Sequence, residues 1–154
     1  MLAEAHIADI THVIQLAVAP VFLLTAVGTL IAVLTNRLGR AIDRSRVLED
    51  RLGTLGAAAA EAARSELGIL ARRIRLVYLA ISLAVICALF VCLLIAGAFI
   101  GTFIAVDLSR LVGGMFVLAM VALIGSLTVF LREIFLAVTT AWQAIPPAEA
   151  KSRR

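Results

Sequence analysis

Long uncharged runs alternate with arginine-rich stretches along the chain, and this pattern predicts membrane-spanning helices. Residues 13–35 contain no charged side chain, and residues 76–106 and 111–131 form comparable runs that are interrupted by no charge. A helix needs about 20 mostly apolar residues to cross a bilayer. We therefore expect an all-α integral membrane protein with three transmembrane helices, folded as a single membrane domain over residues 1–154.

The stretch between the first two spans, residues 36–75, carries a second pattern that favours helix. Apolar or small residues recur at alternating spacings of four and three, which is the pattern of a coiled-coil seam. They are Leu34, Leu38, Ala41, Ser45, Leu48 and Leu52 on the outgoing arm, and Ala63, Leu67, Leu70, Ile74 and Val77 on the returning arm. Two glycines, Gly53 and Gly56, supply a turn between them. This predicts a cytoplasmic antiparallel helical hairpin that extends the first two spans by about 25 Å.

Small residues recur at every fourth position of the second span, which is typical of a helix that packs closely against another. The series comprises Ala80, Ala84, Ala88, Cys92 and Ala96, and Gly97 and Gly101 add a GxxxG pair. Small side chains let helix backbones approach each other in a membrane. The alternative is that alanine is simply common in this span.

Composition and charge fix the class and the predicted orientation. Hydrophobic residues make up 63% of the chain and charged residues 16%, which is far more apolar than a soluble domain. Nine of the 14 basic residues lie between the first two spans, and only Arg110 lies between the second and third. By the positive-inside rule, the N-terminus is expected outside and the C-terminus inside, with residues 132–154 as a cytoplasmic tail. Nucleic acid is not an expected partner, because acidic residues are interleaved with these arginines.

Polar residues form a stripe along the first span. Read at spacings of three and four, it passes through Thr11, Gln15, Val18, Phe22, Thr25, Thr29, Ala32 and Asn36, of which five are polar. Asn36 is two residues, or about 200°, from Leu34 on the seam, so the stripe is expected to face away from the second helix. Amide groups in hydrocarbon cost several kcal/mol unless they have a partner. We therefore expect a homo-oligomer with this face at its centre.

Two interpretations of the stripe remain open. In the first, it lines a pore for small ions in which Val18 and Phe22 form an apolar constriction. Arginines just below the span then form a basic vestibule that favours anions, with Arg37, Arg40, Arg44 and Arg51 as its members. In the second, threonine hydroxyls bond to their own helix and Gln15 joins subunits. The protein is then a non-conducting scaffold or accessory subunit whose basic hairpin binds a cytoplasmic partner or anionic lipids.

Residues that could carry other chemistry are few. Glu4, His6, Asp9 and His12 precede the first span, but steps of three residues spread them around a helix and do not focus them on one metal ion. The motifs of serine hydrolases, phosphate-binding loops and zinc proteases are absent from the sequence. We expect no enzymatic activity, no metal and no cofactor.

The stretches THVIQLAVAPVFLL at residues 11–24, TNRL at 35–38 and IDRSRVLE at 42–49 resemble a bacterial membrane family catalogued as domain of unknown function 2721. Residues 66–76, from Glu66 to Leu76, are similar as well, and the likeness covers most of the chain from Ile7 to the third span. The resemblance implies a small multi-span protein of the bacterial inner membrane. It implies no catalytic or binding residues.

Overall fold

A computed structural model describes the backbone of residues 2–104 and 108–143. Side chains are described for residues 18–101, 103–104 and 108–137. These residues form three helices: α1 at Leu2–Leu52, α2 at Ala57–Ile104 and α3 at Ser109–Gln143. Each contains a segment long and apolar enough to span a membrane. The all-helical class and the three apolar helices expected from the sequence are therefore confirmed.

The helices are longer than the apolar runs that predict them. α1 has 51 residues and α2 has 48, so each is more than 70 Å long at 1.5 Å per residue. Pro20 lies inside α1 without ending it. α3 continues through Arg132 to Gln143, so residues 132–143 of the predicted tail are helical. No proline or glycine lies between Leu131 and Gln143 to stop it.

A short turn joins α1 to α2. The Thr54 amide donates to the Arg51 carbonyl at 3.0 Å, and the Thr54 hydroxyl donates to the same oxygen at 2.9 Å. The Ala60 amide then donates to the Gly56 carbonyl at 2.9 Å, which begins α2. Neither glycine of this turn adopts a left-handed backbone conformation. The turn is therefore held by hydrogen bonds at the end of α1 and does not depend on the conformational freedom of glycine.

α2 is the central element and packs against both α1 and α3. Its buried positions follow the three-four spacing of one helix face, and they include Val77, Ala80, Ala84, Cys87, Val91 and Leu94. Val27 of α1 and Ala119 and Ala122 of α3 complete this core. Burying apolar area does not itself drive helices together in lipid, so close packing of such small side chains has to supply much of the attraction.

The predicted small-residue stripe of α2 is only partly on this buried face. Ala80 and Ala84 are fully buried, Ala88, Gly97 and Gly101 are half-buried, and Cys92 and Ala96 are exposed on the single chain. Steps of four residues advance about 40° beyond a full turn, so the stripe rotates off the packed face within three steps. Gly97 faces α3, but a Cβ there would meet Val112 at 3.7 Å, which is an ordinary van der Waals distance.

α3 also makes a polar contact within the packed region. The Ser126 side chain is fully buried, and its hydroxyl donates to the Ala80 carbonyl of α2 at 2.8 Å. Among the described residues, no buried side-chain nitrogen or oxygen lacks a hydrogen-bond partner. The packed region therefore satisfies its own polar groups without relying on water.

Candidate functional site

A buried carboxylate links the three helices close to the point where their apolar runs end. Glu133 on α3 is only 2% exposed. Its Oε2 accepts from Nη1 of Arg37 on α1 at 2.6 Å. Its Oε1 accepts from Nε and Nη2 of Arg73 on α2, at 3.2 and 2.9 Å. We call Arg37, Arg73 and Glu133 the Glu133 cluster.

The surroundings of the Glu133 cluster restrict where its arginines can point. The Arg37 guanidinium carbon lies 5.2 Å from the centre of the Phe130 ring, within range of a cation–π interaction. The side chains of Arg37 and Arg73 are 34% and 29% exposed. Each arginine therefore has one side fixed by the buried carboxylate and another side open to solvent.

Both arginines also line a pocket between α1 and α2. The pocket has a volume of about 270 Å³ and is lined by Arg37, Arg40, Ala41, Arg44, Leu70 and Arg73. We call it the arginine pocket. Arg44 also pairs with Glu66 of α2, with Nη2 2.8 Å from Oε1, but both side chains are about half exposed. Arg40 is exposed and makes no ion pair with any described residue.

The charges around the arginine pocket do not cancel. Four guanidinium groups meet two carboxylates, Glu133 and Glu66, which leaves an excess of two positive charges. Each guanidinium has five N–H donors, and the hydrogen bonds to these carboxylates use only some of them. The pocket can therefore accept an anion without breaking the contacts that hold its walls.

Of the predicted vestibule residues, the structure brings three into this pocket and leaves one outside. Arg37, Arg40 and Arg44 line it, whereas Arg51 is exposed in the last turn of α1. The sequence analysis did not identify Arg73 or Glu133 as site residues. A signal for Glu133 does exist, because Ala119, Ala122 and Ser126 are followed at the same three-four spacing by Phe130 and Glu133.

The described part of the polar stripe on α1 lies on a surface that the other helices do not cover. Val18, Phe22, Thr25, Thr29 and Asn36 are exposed, with Phe22 at 70%. The Thr25 hydroxyl donates to the Val21 carbonyl at 3.2 Å, and the Thr29 hydroxyl donates to the Thr25 carbonyl at 3.1 Å. The side chains of Thr11 and Gln15, like those of Glu4, His6, Asp9 and His12, lie outside the described residues.

Other concave surfaces of the described residues are more apolar. One, of about 470 Å³, lies between α2 and α3 and is lined by Arg72, Thr128, Leu131, Arg132, Phe135 and Leu136. Another, at the opposite end of the apolar helices, is lined by residues that include Pro20, Leu94 and Phe116. Among the described residues, no three His, Cys, Asp or Glu side chains are grouped as metal ligands. The arginine pocket is therefore the candidate site with the most concentrated charge.

Comparison with known proteins identifies a family but no activity. No curated protein and no solved structure matches the chain. A family described as "Protein of unknown function (DUF2721)" matches residues 17–142. That range contains the arginine pocket, the Glu133 cluster and most of all three helices. The match covers well over half of the sequence, and the chain therefore belongs to the DUF2721 family.

Proposed function

We propose that this protein is a scaffold or accessory subunit of the bacterial inner membrane whose basic hairpin, residues 36–75, binds anionic lipid head groups. The observation that supports this function is the convergence of four arginines on the arginine pocket with an excess of two positive charges. Basic residues close to an anionic membrane surface contribute about 1 kcal/mol each to its attraction. The proposed orientation places the N-terminus outside and the hairpin and C-terminus in the cytoplasm, following the distribution of arginines.

The position of these arginines along the helices fits the head-group layer. Arg37 and Arg40 are two and five residues beyond Thr35, where the first uncharged run ends. At 1.5 Å per residue they lie about 3 and 7.5 Å from that end. Each polar layer of a bilayer is about 5–8 Å thick. This spacing favours a position of both side chains in the layer of lipid phosphates.

Lipid analysis of the reconstituted protein tests this function. The protein is placed in vesicles of phosphatidylcholine with one-fifth phosphatidylglycerol, extracted in polymer-bounded discs, and its lipids are quantified by mass spectrometry. We expect phosphatidylglycerol to be enriched over the bulk membrane, and less so at high salt because exposed charges are screened. The combined variant Arg40→Gln/Arg46→Gln/Arg72→Gln removes three exposed charges and should lose the enrichment.

A matched control variant changes the net charge of the hairpin in the opposite direction. Glu49→Gln/Asp50→Asn removes two exposed carboxylates from the same hairpin, and it should increase the enrichment. Equal lipid compositions around the wild type and both variants would contradict the proposed function. A different outcome is that the lipids stay at bulk composition, while a soluble protein co-purifies from cells with the wild type and not with the arginine variant. The basic hairpin then binds a cytoplasmic partner.

The second candidate function is an ion pathway through a homo-oligomer with α1 at its axis. It is favoured by the exposed α1 face that α2 and α3 leave uncovered, which includes Val18, Phe22, Thr25 and Thr29. However, both threonine hydroxyls already have acceptors in their own helix, so this face does not require a wet axis. Reconstitution in planar bilayers decides the question. A conductance that differs between the wild type and Phe22→Ala supports a pore. The absence of current in both proteins refutes it.

A further inference from the structure

We infer that the arginine pocket is a specific site for one phosphate group, occupied once per chain, and not merely a region of diffuse positive charge. This inference rests on the proposed function, because it names the chemistry of the ligand at the same basic hairpin. The ligand is a phosphate monoester, carried either by a lipid head group or by a small soluble molecule. The geometry of the four lining arginines is the basis for this assignment.

The first argument is the fixed position of two of the four guanidinium groups. Glu133 is buried and holds Arg37 and Arg73 through separate oxygens, at 2.6 Å and 2.9 Å. Arginine loses considerable side-chain freedom when it binds a ligand, and fixing it in advance reduces that entropic cost. Surface arginines that are free to move lack this advantage. The Glu133 cluster therefore prepares one wall of the pocket for an anion.

Unused N–H donors on the lining arginines also favour a phosphate ligand. Arg73 gives Nε and Nη2 to Glu133, and Arg37 gives Nη1. The remaining N–H groups of both side chains, and those of Arg40, are not used by any described ion pair. A guanidinium presents its donors as a planar fork that matches two oxygens of a phosphate. Forks from two helices can thus contact different oxygens of the same group.

The third argument concerns charge and size. The excess of two positive charges matches the one to two negative charges of a phosphate monoester. The pocket volume of about 270 Å³ is many times the roughly 10–15 Å³ that a single water requires on a comparable measure, and it accommodates a phosphate and part of its hydration. Phosphatidylcholine is a phosphodiester with one negative charge, and its choline group carries a positive charge close to the phosphate. The pocket should therefore prefer the monoester to phosphatidylcholine.

Calorimetric titration of the full chain in a neutral detergent tests this inference, because no bilayer surface charge is then present. The probes are dihexanoyl phosphatidic acid, inorganic phosphate and, as a neutral control, dihexanoyl phosphatidylcholine. We expect saturation at one phosphatidic acid per chain and no comparable binding of phosphatidylcholine. If inorganic phosphate binds as well as the lipid does, the soluble phosphate group is the ligand. If only the lipid binds, the ligand is a lipid head group.

Two single variants separate the site from general charge. Arg40→Gln removes a lining side chain and should weaken binding at least tenfold. Arg75→Gln removes an exposed charge from a residue that does not line the pocket, and it should weaken binding less than threefold. Both residues are exposed, and circular dichroism checks that both variants keep their helices. Equal affinities for the two variants, or the absence of saturable binding by any phosphate probe, would overturn the inference.

These outcomes distinguish this inference from the proposed function. Arginine-dependent enrichment of phosphatidylglycerol in a bilayer, combined with no saturable phosphate binding in detergent, leaves the proposed function in place and removes the specific site. The opposite outcome is that phosphatidylglycerol is not enriched, while inorganic phosphate binds saturably and Arg40→Gln weakens that binding. This outcome refutes the lipid role and supports the phosphate site.

Discussion

Neutralising Glu133 is the most informative perturbation of this fold, because one carboxylate there holds three helices. Glu133→Gln keeps the size of the side chain and removes its charge. Three N–H donors from Arg37 and Arg73 currently reach its oxygens. Breaking a fully buried ion pair by removing one partner costs about 3–5 kcal/mol. Here the arginines are about one-third exposed and can regain water, so we expect a loss of roughly 2–3 kcal/mol in the free energy of unfolding.

The chain contains a matched control for this experiment. Glu66 forms an ion pair with Arg44 between α2 and α1, at 2.8 Å, but both side chains are about half exposed. Exposed pairs contribute about 0–1 kcal/mol, so Glu66→Gln should have a small effect. Unfolding is followed by circular dichroism as dodecyl sulfate is added to dodecyl maltoside micelles. Equal losses for Glu133→Gln and Glu66→Gln would refute the argument that burial makes the Glu133 cluster strong.

Three further predictions use the same unfolding assay. Ser126→Ala removes the hydrogen bond to the Ala80 carbonyl and should lower the free energy of unfolding by about 0.5–2 kcal/mol. The Ser82 hydroxyl bonds only within α2, so Ser82→Ala should cost less than about 0.5 kcal/mol. Ala84→Leu should cost about 1–3 kcal/mol because Ala84 is fully buried; a silent variant would mean that α2 and α3 repack. Thr29→Val should stay within about 0.5 kcal/mol, since the hydroxyl serves only its own helix. A larger loss for Thr29→Val would indicate a partner across a subunit contact.

The helices could be predicted from sequence because their signal is local. An uncharged run of sufficient length is visible without knowledge of any other segment. The three-four seam likewise predicted Leu34, Leu48, Ala63 and Leu70 as inward positions, and all four are buried. The third apolar run ends at Leu131 and α3 continues to Gln143, because a change from apolar to charged sequence marks the end of an apolar run and not the end of a helix.

The Glu133 cluster could not be predicted in the same way. Its three members are separated by 36 and 60 positions along the chain, and they meet only if each helix has the right rotation about its own axis. An arginine and a glutamate at the end of an apolar run are normally interpreted as the start of the solvent-exposed region. The spacing after Ala119 and Ser126 places Glu133 on the packed face of α3, but the identity of its partners depends on all three helices.

The shared carboxylate also has a consequence for the order in which the chain is made. Arg37 and Arg73 belong to the first two helices, whereas their common acid arrives with the last helix. A nascent chain that has placed only α1 and α2 holds two positive charges beside each other with no acid between them. Like charges at close range repel, so the pair of helices should stay loosely closed until α3 docks. We therefore expect the docking of α3 to complete the closure of α1 against α2.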